Sequence, residues 1–127
     1  MAITFSYDPA LKILFTKAEG LLSLADLLSN LDNERYREAL KYRELVDASA
    51  AWTNVTPGEA RRLVLRLRTM MPNGLLGPKA VVTNDRYFYG IARMFSILSD
   101  LEEGPRIGIF QTVDEALEWL EREAPVL

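Results

Sequence analysis

Four helix-length segments of this chain carry the same narrow apolar stripe, and short apolar runs separate them. The stripes are Leu24, Leu27, Leu28 and Leu31; Ala60, Leu63, Val64, Leu67 and Met71; Phe88, Ile91, Ala92 and Phe95; and Val113, Ala116, Leu117 and Leu120. A helix with one apolar face has to bury it against another element. The intervening runs, Leu45–Ala48, Ala80–Val82 and Ile107–Phe110, have the length and continuity of buried parallel strands. Ahead of them, Ile3, Phe5 and Tyr7 alternate with Thr4 and Ser6, and Leu11, Ile13 and Phe15 follow the turn Asp8-Pro9-Ala10. This predicts an antiparallel hairpin. The expected order is ββαβαβαβα: an α/β fold with a mixed five-stranded sheet and about four helices, in one domain over residues 1–127.

Local signals place the helix ends. Ser23 with Asp26 starts the first helix, and the charged stretch 32–41 is read as its fraying end. Thr56-Pro57-Gly58-Glu59 is a capping box with proline at the first helical position. Pro72-Asn73-Gly74 ends that helix. Asn84 or Asp85 caps the next, and Thr112 with Glu115 caps the last.

The chain has no histidine and no cysteine. That removes the commonest general base, thiolate nucleophiles, disulfides and the commonest transition-metal ligands. No cofactor and no metal site is expected. The net charge of −3 argues against a nucleic-acid binder. The N-terminus, Met1-Ala2-Ile3-Thr4, shows no basic run followed by an apolar stretch, and no apolar stretch approaches the ~20 residues of a membrane span. A cytoplasmic protein without a transmembrane segment is the expectation.

Ligands in open α/β sheets gather beyond the carboxyl ends of the strands. Those ends carry Asp47 and Ser49, then Thr83, Asn84 and Asp85, then Gln111 and Thr112. Asp47 and Asp85 could share Mg²⁺ through oxygen ligands. These residue types also cap helices and close turns, which is their commoner use. Trp52 falls in an expected loop, where an exposed ring would suggest binding. Arg62 and Arg66 lie opposite the stripe of the helix after Thr56, with Arg61 and Arg68 flanking it, a face suited to anionic lipid or an acidic partner. Tyr87, Tyr89, Arg86 and Arg93 surround the next stripe and read as core edge or dimer surface. Gly74–Lys79 lacks the spacing of a phosphate loop and precedes a strand.

The element order, with Leu45-Val46-Asp47-Ala48-Ser49, the stretch Asn84–Phe95 and the ending Ile109–Leu120, resembles the SpoIIAA-like or STAS-type fold of anti-sigma-factor antagonists. In that family, a serine in an Asp-Ser-Ser-Gly turn, opening the helix after the third strand, is phosphorylated by a partner kinase. The corresponding place here is Val55-Thr56-Pro57-Gly58, where only the glycine matches and Thr56 stands at the hydroxyl position. The resemblance implies a non-enzymatic regulatory or protein-interaction module, as a homodimer or with another protein. The alternative is a small carrier or sensor of an apolar or anionic ligand between helices and sheet. A carboxylate-based hydrolase at Asp47 and Asp85 is the third reading.

Overall fold

The structure, a computed structural model, describes residues 2–70 and 76–123. Strands β1 (Ile3–Asp8) and β2 (Ile13–Leu22) form the antiparallel hairpin, and Asp8 Oδ1 closes its turn by accepting the amides of Ala10 and Leu11. Helices α1 (Leu24–Leu31) and α2 (Glu34–Ala39) lead to β3 (Arg43–Thr53). Then come α3 (Pro57–Met70), β4 (Lys79–Val82), α4 (Arg86–Leu101), β5 (Ile107–Phe110) and α5 (Val113–Arg122). The strands lie in sequence order β1-β2-β3-β4-β5, with β2 through β5 parallel.

That order dictates the layers. Right-handed crossovers between successive neighbouring strands place α1 to α4 on one face of the sheet. Among the described residues only α5, beyond the last strand, packs on the other face. Alternation along the strands follows. Leu14, Thr16, Glu44, Val46, Lys79, Val81 and Ile107 face the four-helix layer. Ile13, Leu45, Ala80 and Val82 meet Ala116 and Leu120 of α5. The α5 layer covers little of the hairpin, so Thr4, Ser6, Lys17 and Glu19 remain exposed. Polar residues at those positions make an open face tolerable.

The stripe residues are buried or half-buried except Val113, which is exposed at the start of α5, and Met71, which lies outside the described residues. Four caps have side-chain partners: Ser23 with Asp26, Thr56 with Glu59, Asp85 with the amide of Phe88, and Thr112 with the amide of Glu115. Trp119 lies against Phe110, ring centroids 5.6 Å apart, and a Cβ at Gly108 would strike both rings. Two local expectations change. The stretch 32–41 contains a separate helix, α2, because Asn33 Oδ1 caps it by accepting the amides of Arg35 and Tyr36, and Tyr36 and Ala39 anchor it to the core. Five helices result among the described residues. Trp52 is not in a loop: β3 runs on to Thr53, pairing Trp52 with Leu21. The expected stop at Pro72-Asn73-Gly74 lies outside the described residues. Among the described residues no helix is long and apolar enough to cross a membrane.

Candidate functional site

Between the sheet and its four-helix layer lies a cavity of about 160 Å³. Its apolar wall includes Ala18, Ala60 and Ala92, with Phe88, Ile91 and Phe95 of α4 opposite Val46 and Val81. Small residues face one another there while larger neighbours hold the layers apart, so the gap does not close.

The cavity has a polar end. Glu44 is fully buried at the start of β3, and Lys79, on the next strand, pairs with it in register. Lys79 Nζ donates to Glu44 Oε1 at 2.7 Å. Thr16 Oγ1 and the Tyr36 hydroxyl donate to Oε2 at 2.6 and 2.5 Å. Three donors around one carboxylate make a buried ion pair tolerable. Burial pushes the Tyr36 hydroxyl well above its ordinary pKa, and the Glu44 charge beside it adds to the shift. The carboxylate is held as an acceptor, with three hydrogen bonds on its two oxygens. This arrangement orients a polar group better than it moves protons.

The strand-end residues are distributed differently. On β3 one extra residue opposes β2 between Asp47 and Ala50. Such a bulge frees an amide from the ladder. Asp47 Oδ1 accepts both the amide and the hydroxyl of Ser49, at 3.1 and 2.6 Å, across this bulge. Asp47 faces the α5 side, away from the cavity, in a groove with Phe15, Lys17 and Val113. Asp85 accepts the amide of Phe88 at the start of α4, on the opposite side of the sheet. The two carboxylates are therefore not brought together, and among the described residues no cluster of three acidic side chains could hold a metal ion. Trp52 is 54% exposed beside Leu21 at 45%.

At the carboxyl edge of the sheet, the Tyr87 hydroxyl donates to the carbonyl of Val55 at 2.7 Å, next to exposed Thr56. Thr56 accepts the amide of Glu59, and Glu59 accepts that of Thr56. Of the four exposed arginines on α3, Arg66 pairs with Asp32 at 2.8 Å and Arg68 with Glu102 at 2.7 Å. Arg61 and Arg62 have no ion pair among the described residues.

Sequence reasoning missed Thr16, Tyr36, Glu44 and Lys79. The signal available was a charged residue immediately before each of two apolar runs, Glu44 before Leu45 and Lys79 before Ala80.

No protein-family model matches the chain, and no curated protein matches it. Solved structures do. One is an uncharacterised protein of the DUF3478 family with a SpoIIAA-like fold, from Shewanella loihica PV-4, at TM-score 0.60 and 18% identity, covering 94% of this chain and 93% of that one. Another is the anti-sigma factor antagonist SpoIIAA in its unphosphorylated form, at TM-score 0.54 and 10% identity, covering 95% and 99%. At these identities the likeness is one of architecture, and the chain has the SpoIIAA-like fold.

Proposed function

We propose that this protein is a non-enzymatic regulatory module that holds a small, largely apolar ligand between its sheet and its four-helix layer. The cavity carries this reading. Its volume of about 160 Å³ is close to that of the roughly 150 Å³ apolar cavity known to take up benzene. Well-packed interiors keep few voids larger than a water molecule. A ligand-stabilised core also gives regulation a physical route, because a molecule bound only by the folded state shifts the folded population. Native mass spectrometry of protein purified under mild conditions tests this. A stoichiometric co-purifying small molecule is expected; bare protein that also takes up no apolar probe would refute the reading.

A second reading, a module that binds a protein partner or a second copy of itself, has its own support. The fold is shared with an anti-sigma factor antagonist, and exposed Thr56, Tyr87, Arg61 and Arg62 lie on or near one edge of the molecule. Pull-down from native extract with wild type and Arg61→Glu/Arg62→Glu tests it. A specific partner lost in the variant is expected, and equal capture by both would count against this edge.

A further inference from the structure

The polar end of the cavity selects its ligand, an inference that rests on reading the cavity as a ligand site. An ammonium group has three N–H donors. Lys79 Nζ spends one on Glu44 Oε1, and among the described residues it has no second acceptor. Its side chain is only 8% exposed, and Lys79 forms part of the cavity wall. The cluster's acceptors are mostly committed: Glu44 Oε1 takes Lys79 and Oε2 takes both hydroxyls, which leaves one lone pair on Oε1. What the cluster chiefly offers a ligand is the Lys79 donor.

Charge narrows the choice further. Glu44 and Lys79 together are neutral. An ionised carboxylate placed against Lys79 would bring a second negative charge beside Glu44, with one cation to balance both. Unbalanced charge in an apolar interior is strongly unfavourable. A neutral oxygen carries no such charge: a carbonyl accepts from Lys79 outright, and a hydroxyl can accept from Lys79 while donating to the lone pair left on Glu44 Oε1. We propose that the cavity binds a neutral apolar molecule of roughly six to ten heavy atoms bearing one neutral oxygen acceptor, a ketone, aldehyde, ester or alcohol, with that oxygen on Lys79 Nζ, and that it excludes carboxylates.

The test is a chemical-shift titration of the isotope-labelled full chain at neutral pH with 4-methylcyclohexanone, methylcyclohexane and cyclohexanecarboxylate. The ketone is expected to bind at least about tenfold more tightly than the hydrocarbon, the scale of one hydrogen bond from a charged donor, and more tightly still than the carboxylate. In the charge-neutral double variant Glu44→Gln/Lys79→Met, the ratio of ketone to hydrocarbon affinity falls to about one. Equal binding of ketone and hydrocarbon by the wild type overturns the assignment of the head group and leaves the cavity as a ligand site. A ketone preference that persists in the double variant overturns the role of Lys79. Tightest binding of the carboxylate overturns the charge argument. Binding of none of the three overturns this inference and the proposed ligand-holding function together.

Discussion

Breaking the buried pair from one side should cost far more than removing it. Lys79 Nζ and Glu44 Oε1 lie 2.7 Å apart. At an effective dielectric constant of ~20, two unit charges at that distance attract by about 6 kcal/mol. Desolvation of each ion costs several kcal/mol, so the intact pair contributes little net stability. Lys79→Met keeps most of the side-chain volume but leaves Glu44 charged and unbalanced, and the expected loss is about 3–5 kcal/mol. Glu44→Gln places an amide donor against the ammonium and should lose a comparable amount. In Glu44→Gln/Lys79→Met the amide oxygen still accepts from Thr16 and Tyr36, and no charge remains. That variant should fall within about 1–2 kcal/mol of the wild type. Urea unfolding followed by far-UV circular dichroism measures all four proteins. A coupling energy of at least about 2 kcal/mol is expected from the cycle. Additive single losses, with coupling below about 0.5 kcal/mol, would refute the claim that these two groups share a dry site.

Tyr36 gives an alkaline signature. Its hydroxyl pKa is raised in the fold, so its contribution is complete below about pH 10, the unfolded value, and declines as the pH rises toward the folded value. The stability gap between wild type and Tyr36→Phe should narrow above pH 10 by up to about 1.4 kcal/mol per pH unit; a gap constant from pH 8 to 11 would contradict this. Gly77 lets the chain entering β4 pass against the backbone carbonyl of Tyr42, and its own amide donates to Leu40 O at 2.9 Å. Gly77→Ala should cost about 1–3 kcal/mol in urea, and a neutral outcome would mean that this approach is not close. Ala92→Leu projects three more carbons into the cavity. At about 0.8 kcal/mol per buried carbon, less the rotamer entropy, it should raise stability by about 1–2 kcal/mol while abolishing uptake of 4-methylcyclohexanone. Loss of stability there would show that the space is already filled by packing.

The parts of this fold that were legible share one property: their cause is local. Thr56 and Glu59 lie three residues apart and make their capping box wherever that helix forms. The leucines of α1 and the stripe of α3 are set by helical spacing alone. The sheet order followed because each apolar run sits one crossover from the next. What escaped was decided by register or by a single side chain acting over distance. α2 depends on Asn33 turning back onto two amides and on Tyr36 reaching Glu44, eight residues on and across the layer boundary. Strand β3 outlasts its apolar run because the bulge at Asp47–Ala50 restarts the pairing, which carries Trp52 onto the outer face. Asp47 and Ser49 hydrogen-bond to each other across that bulge, a local arrangement that depends on the strand pairing.

The cavity was the least legible feature, because no segment contains it. Ala18, Ala60 and Ala92 each look like ordinary small residues on a stripe, and only their convergence from β2, α3 and α4 makes a gap. Glu44 and Lys79 are 35 residues apart and become partners solely through the parallel register of β3 and β4. A one-residue slip of β4 against β3 would turn Lys79 toward α5 and bring Ala80 under the four-helix layer, parting Lys79 from Glu44. The ion pair therefore works as a register check: only the native pairing places both charges together, with Thr16 and Tyr36 in reach. A cluster of this kind contributes little net stability, yet its single-sided disruption is costly. That asymmetry lets one set of residues both fix the strand register and leave a donor facing a ligand-sized space.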